Sequence, residues 1–562
     1  MAIGISISNT LSIDRQDSGS GGGGAEEFIM RVKTDISTAS TGKSNDDQFN
    51  INVQASGGYV FDYDVDWGDG STDTNVTGSL VHTYAVAGEY DVKISGVFPN
   101  IYFFNRFDRW KVLEVKNWGN IQWETMLNAF QGCGNMEITA TDEGDFTQVN
   151  NFKSAFQNCS SITSITGSSN WINSNCTDVF LAFYGCSNMT SIETTNWDTS
   201  NLSSFTGFFQ DCTSLTSLDG TNWDLSNVTG FSNAFSNTTS LTTITGNGNW
   251  RFSTTTNVDF SAFFNNCFAL DGLNTTNWNM ERVVSLSQAF RDCTALTYLD
   301  MSNWDLSSCG SLFLWLYNTP LLAAANGIGD LDVSSVTNFG YVFANVDSLV
   351  ADVSNWDVSS GTSFSNFMDG TNGSGSITGY KNWNTPSVTA SCQSLFTFSI
   401  NGDDDLPLWD ITNSNSLYNA FRGMAPPSST QVFNMTTSNL SASNSCFGLF
   451  YQSSTINDLT IGPNVDFSNV TNFSYAFSNM INLTLTFPTG FDWSSGTTFL
   501  NFLSGTNLSS ADYNAILVDI ENSNSNPNVS FDAPNCVATG TGLTARTALI
   551  NDHGWTFNDS TP

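Results

Sequence analysis

The chain has 562 residues, which suits three or four ordinary domains, or one long repeat array with smaller units attached. Hydrophobic residues make up 40% and charged ones only 12%, with 44 Phe, so a large core can form beneath a surface of Ser, Thr, Asn and Gly. The net charge of −36 repels phosphate backbones, which argues against a nucleic-acid partner and favours solubility in salt.

Residues 1–18 alternate apolar and polar, with Ile3, Ile5 and Ile7 on one side, like a short strand that needs a partner. The first basic residue is Arg15 and the apolar residues alternate rather than form an h-region, so no Sec signal peptide is expected: either processing has already occurred or the protein leaves its cell by another route, such as lysis. No run of 18 apolar residues occurs, so no membrane insertion is expected. The stretch "SGSGGGG" then reads as a flexible linker. Residues 1–24 are thus an N-terminal strand and linker, either a free tail or an attachment tag that adds to another protein's sheet.

Residues 25–97 read as a small β domain. "EEFIMRVKT", "QFNINVQA", "YVFDYDVDWG" and "GEYDVKISG" alternate with period two between Gly, Asp and Asn turns. "DWGDGSTD" followed by "VHTYAVAGEYDVKISG" resembles the PKD family of immunoglobulin-like domains, through Trp67, Gly68, Asp69, Gly70, His82, Tyr84, Gly88 and Tyr90. That resemblance implies a β-sandwich serving as a spacer or interaction module, without catalysis. Residues 98–128 are crowded with aromatics, among them Phe103, Trp110, Trp118 and Trp123, and read as the N-terminal cap of an array.

Residues 129–505 repeat. A marker Phe or Leu recurs at 130, 156, 183, 209, 235, 264, 290, 316, 343, 367, 396, 421, 450, 477 and 502. A period this constant is the signature of a solenoid, here of about fifteen turns. The "SLTSLD" element is too short for a helix and predicts one strand per turn, stacked at about 4.8 Å, so that fourteen steps span roughly 65–70 Å. The "VTGFSNAF" element spaces its apolar residues by three and four, which predicts one or two helical turns on the opposite wall. Trp223 and its equivalents plug the corner between the walls. Asn222 and Asp224 suit turns, with side chains bonding nearby backbone N–H groups. The same turn chemistry accounts for triplets such as "NVT" at Asn227 and "NMT" at Asn188.

"NWDTSNLSSFTGFFQDC", "NWDLSNVTGFSNAF" and "NWNMERVVSLSQAFRDC" resemble the BspA-like leucine-rich repeat family, in its lipoprotein-type variant. The resemblance covers about residues 125–505 and implies a right-handed solenoid used in surface adhesion and recognition. Leu331 replaces the Trp in one turn, and the turns beyond residue 360 are irregular, which predicts loops there. Residues 506–562 read as a C-terminal cap with two helices, the first capped by Ser509 with Asp512 three residues on, the second ending near Gly554. The fold class expected is therefore mainly β with short helical turns: a sandwich, a solenoid and a small α-containing cap.

Candidate sites are few. Cys133, Cys159, Cys186, Cys212, Cys267 and Cys293 each follow a marker by three residues, with Thr238 and Thr319 in the same place. A column that accepts Thr reads as small, buried and structural. Zinc is not expected, because His82 and His553 are the only histidines and lie far apart. "DYDVDWGDGSTD" offers Asp62, Asp64, Asp66, Asp69 and Asp73, but Trp67 stands where a calcium loop needs Gly, so a strand with solvated Asp is expected. Asp403, Asp404 and Asp405 form an acidic loop and the one weak Ca2+ candidate. After residue 144 the only Glu residues are Glu193, Glu281 and Glu521, too scattered for a glycosidase pair. No Ser–His–Asp set and no phosphate loop occurs.

The reading is a non-enzymatic adhesion or receptor-recognition protein. It would bind a host surface glycan or protein multivalently, as a phage virion fibre or decoration protein joined to the particle through residues 1–24. A bacterial cell-surface adhesin and a purely structural capsid or tail decoration are the alternatives.

Overall fold

The computed structural model describes residues 27–36, 42–371, 374–380, 383–385, 388, 392–397, 417–425, 429–433, 444–463, 465–481 and 483–562. Among the described residues the N-terminal part has six strands: β1 (Phe28–Lys33), β2 (Gln48–Ile51), β3 (Asp62–Asp66), β4 (Thr72–Val76), β5 (Leu80–Thr83) and β6 (Glu89–Val97). β1 buries Phe28, Met30 and Val32 on one face, as its alternation requires. β2 and β5 pair with each other, and β4-β3-β6-β1 form a second sheet.

That second sheet does not stop at the domain. β7 (Val112–Asn117) pairs antiparallel with β1, and β8 (Glu137–Ile138) pairs parallel with β7. β8 belongs to the first turn of the array, so one sheet runs from the N-terminal part into the solenoid. Beside it Lys111 and Asp108 are both buried. Asp108 accepts from the Ser44 and Asn50 amides at 2.9 and 2.8 Å, and Lys111 Nζ donates to the Asn45 and Gln48 carbonyls at 2.7 and 2.8 Å. Burial pulls the Lys111 pKa down, against the opposing pull of Asp108.

The array is a β-solenoid of about 15 turns. One wall is a stack of short parallel strands in register, such as Ser217–Asp219 on Thr243–Thr245 and Tyr298–Asp300 on Ala324–Asn326. The opposite wall is a ladder of turns. Alternate amides of one rung donate to carbonyls of the next: Phe205 to Gly230 at 2.8 Å, Gly207 to Ser232 at 3.0 Å, Phe209 to Ala234 at 2.8 Å and Asp211 to Ser236 at 2.9 Å. The amides between them turn back within the rung, Phe208 to Phe205 at 3.1 Å and Gln210 to Gly207 at 3.3 Å. The short helical turns expected here therefore take the form of linked single turns. Two left-handed residues per rung, such as Asn233 (φ 58°) and Asn237 (φ 60°), prevent any of them from extending. Asn and Gly recur at these places because they tolerate that conformation best.

The ladder also corrects two markers. Phe343 donates to the Phe367 carbonyl and Phe477 to that of Phe502, so the next rungs' markers are Met368 and Leu503. Thr371 and Thr506 then fall three residues on, in the cysteine column. Irregularity beyond residue 360 does not break this wall: Asn366 and Met368 donate to Gln393 and Leu395, Ser394 and Phe396 to Tyr418 and Ala420, and Asn419 and Phe421 to Phe447 and Leu449.

Between the walls, aromatic rings stack rung on rung. The indoles of Trp197, Trp223, Trp250, Trp278 and Trp304 form a column with centroid spacings of 6.3, 5.7, 5.8 and 6.1 Å. The marker Phe rings stack alongside, Phe183 on Phe209 at 5.5 Å and Phe209 on Phe235 at 5.9 Å. α1 (Ser510–Ser523) and α2 (Gly540–His553) close the far end with the paired strands Ser530–Ala533 and Thr556–Asp559. Ser509 Oγ accepts the Asp512 amide at 3.1 Å, and α2 stops at the left-handed Gly554.

Candidate functional site

Most polar side chains of the solenoid hold one rung to the next. Asp224 accepts from the Ser226 amide at 3.0 Å, the expected turn contact. Asn222 does something else: its amide donates to the Thr195 carbonyl of the preceding rung at 2.6 Å. Asn227 reaches Ser200 in the same way at 2.7 Å. The hydroxyls of Thr190, Thr216 and Thr242 donate to the carbonyls of Thr163, Thr190 and Thr216, at 2.9, 3.3 and 3.0 Å.

The thiols are interior. All eleven cysteines are buried thiols. Cys159, Cys186, Cys212, Cys267 and Cys293 each place Sγ within 3.1–3.2 Å of a carbonyl in the preceding rung. Burial pushes the Cys186 and Cys267 thiols up to about 12.

The N-terminal acidic run is internally bonded. Asp64 accepts from the Asn75 amide at 2.9 Å, and Asp73 from the Trp67 indole at 2.7 Å. Asp66 pairs with Lys93 at 3.3 Å. Burial alone would raise Asp69, but hydrogen bonds from Ser71 and His82 outweigh it and hold its carboxyl down at about 2. Asp403, Asp404 and Asp405 lie outside the described residues, as do residues 1–24. Among the described residues no three His, Cys, Asp or Glu side chains gather as metal ligands. Glu193 accepts from the Gly167 amide at 2.9 Å, whereas Glu521 lies on α1. No helix of the described residues is long and apolar enough to cross a membrane.

Two open clefts lie in the N-terminal third. One, about 480 Å³, is lined by Arg31, Gly68, Glu89, Tyr90, Asp91 and Lys93. The other, about 400 Å³, lies where the N-terminal part meets the solenoid and is lined by Tyr59, Gln122, Glu124, Gln148 and Asn150.

The family model described as Mycoplasma protein of unknown function, DUF285, matches residues 93–191, 124–247, 242–323, 316–432 and 375–492. These stretches join into one span of 93–492, more than half the chain. The chain belongs to the DUF285 family. The repeats expected from sequence to be BspA-like are thus DUF285 repeats, as befits a repeat surface protein. No curated protein matches the chain.

The outer side of the DUF285 turn ladder holds the features that sequence reasoning missed. Among the described residues three cations there each lie over an aromatic ring of the following rung: Lys153 over Phe180 at 5.1 Å, Arg291 over Tyr317 at 5.8 Å and Arg422 over Tyr451 at 5.0 Å. Further rings gather at the second and third pairs. Tyr341 meets Phe313 and Tyr317 at 6.0 and 5.8 Å. Phe447 stacks on Tyr418 at 4.8 Å, and Tyr475 meets Phe447 and Tyr451 at 5.3 and 5.5 Å. Tyr418 is 37% exposed and Leu500 nearby 49%. A signal existed in the sequence, since these residues occupy the variable places two or three before and one after the marker.

Proposed function

We propose that this chain is a non-enzymatic recognition protein of the adhesin kind, which presents the flank of a stiff DUF285 solenoid to a host glycan or protein. The observation that carries this reading is the half-buried aromatic and cationic side chains gathered on the turn ladder. They stand out on a surface whose other polar groups are used to join rungs. Thiols are interior and many carboxylates of the solenoid accept nearby backbone amides, which leaves the rod suited to multivalent contact rather than chemistry. The N-terminal sheets would form a PKD-like spacer that holds the array away from its anchor.

Two settings follow. In a phage virion, residues 1–24 would tether the chain as a fibre or decoration protein. On a bacterial surface the same rod would act as an adhesin. Incubating the purified full chain with host-envelope and cell-surface fractions tests the function: saturable pull-down supports it, and no binding to any fraction overturns it. Deleting residues 1–24 tests the virion setting, which predicts a folded protein that no longer joins particles.

A further inference from the structure

Among the described residues the three cation–aromatic pairs recur every five rungs, the first three places before the marker and the other two one place after it. With the markers taken as rungs 1 to 15, Lys153 lies on rung 2, Arg291 on rung 7 and Arg422 on rung 12, five rungs apart each time. At about 4.8 Å per rung the step is roughly 24 Å. Residues 129–505 contain six basic side chains in all, so half of the solenoid's cations take part in this pattern.

We infer that the turn ladder is a three-point binding face for one extended, neutral polysaccharide lying along the solenoid axis. The inference rests on the recognition reading and names its ligand class and its face. Aromatic rings half-exposed on a flat wall offer apolar surface to the C–H faces of sugar rings, and the neighbouring polar groups offer hydrogen bonds to hydroxyls. Arg422 already engages the side-chain oxygen of Gln452 at 3.1 Å, and the two extend the plane beside Tyr451. Local charge selects neutrality. Arg291 is paired with Asp292 at 3.0 Å, and Arg422 acts on the Asp369 carboxyl through space. The second and third spots are thus partly offset by carboxylates, within a chain of −36 that repels a polyanion. The fixed step favours a polymer, because three weak contacts on one rigid strand multiply.

Affinity electrophoresis of the full chain in gels of soluble neutral glucan, neutral mannan and polygalacturonate tests this. Retardation is expected in at least one neutral gel and not in polygalacturonate. Oligomers of the retarding polymer shorter than about 24 Å should bind at one spot only, and those longer than about 50 Å roughly a hundredfold tighter. Phe180→Ala, Tyr317→Ala and Tyr451→Ala combined should abolish retardation while the melting temperature stays unchanged. Retardation by polygalacturonate alone, no length dependence, or full binding by the triple variant would each overturn the inference. If the triple variant still binds host envelopes as the native chain does, this face is wrong and the recognition reading stands. If the native chain binds no envelope, that reading falls with it.

Discussion

The Thr238 hydroxyl lies 3.2 Å from the Cys267 thiol, in a column where the next rungs on either side supply sulfur. Both side chains also reach the Phe235 carbonyl, Thr238 at 2.7 Å and Cys267 at 3.1 Å. Where this column carries Thr or Cys, as at these two places, it supplies a small buried donor to a carbonyl, which explains why the two interchange there; Val346, Met424 and Met480 fill the same place in other rungs by apolar burial alone.

Stability should fall at alkaline pH. Burial holds Cys186 and Cys267 up at about 12, whereas an unfolded thiol titrates near ~8.5. The folded chain keeps those protons after the unfolded chain has lost them. The thiol contribution is therefore complete below about pH 8.5 and declines above it, by up to ~1.4 kcal/mol per pH unit per thiol. Urea melts at pH 7 and pH 10 measure it; equal midpoints would contradict the buried column.

Two tryptophans of the same stack should respond differently to Phe. Trp197 Nε1 donates to the Ser168 carbonyl at 2.7 Å, whereas Trp223 Nε1 is buried with no partner. Trp197→Phe loses ring area and a hydrogen bond, Trp223→Phe ring area alone. The first should cost about 1 kcal/mol more in chemical denaturation. Equal costs would show that the indole N–H is idle in both.

Gly246 and Gly310 make a matched pair of backbone tests. Gly246 has φ 74°, and an added Cβ would lie 2.5 Å from the Thr221 nitrogen; at Gly310 the nearest atom is the Val284 oxygen at 3.8 Å. Gly246→Ala should lower stability by about 2 kcal/mol or more, with Gly310→Ala within about 0.5 kcal/mol of the native chain. Thermal melts of the two variants decide it.

Truncations should separate the tail from the sheet. Deleting residues 1–24 is expected to leave the melting temperature unchanged. Deleting residues 1–97 removes β1 and exposes the edge of β7, so soluble yield and melting temperature should both drop. A 98–562 fragment as stable as the full chain would refute the structural role of the continuous sheet.

The repeat was legible because each turn must bury the same column: Trp223, Val228, Phe231 and Phe235 recur in kind from turn to turn, and burial leaves little freedom of type. Where two apolar residues adjoin, as Phe367 with Met368 and Phe502 with Leu503, apolarity alone could not say which is the marker. Both side chains are buried, and only the backbone ladder distinguishes them. The offsets of Gly370 with Thr371 and Gly505 with Thr506 carried the register, through a left-handed residue and a small donor.

The sequence by itself determined the solenoid, its number of turns, its interior columns and its helical C-terminal part, because periodic burial is written one rung at a time. Tertiary structure alone decided what lies beside what across rungs. Lys153 and Phe180, or Arg422 and Tyr451, are 27 and 29 residues apart and meet only because the coil returns after one turn. It also decided that β1 and β7 join the N-terminal part to the array, a pairing set by backbone hydrogen bonds that leave no side-chain signature.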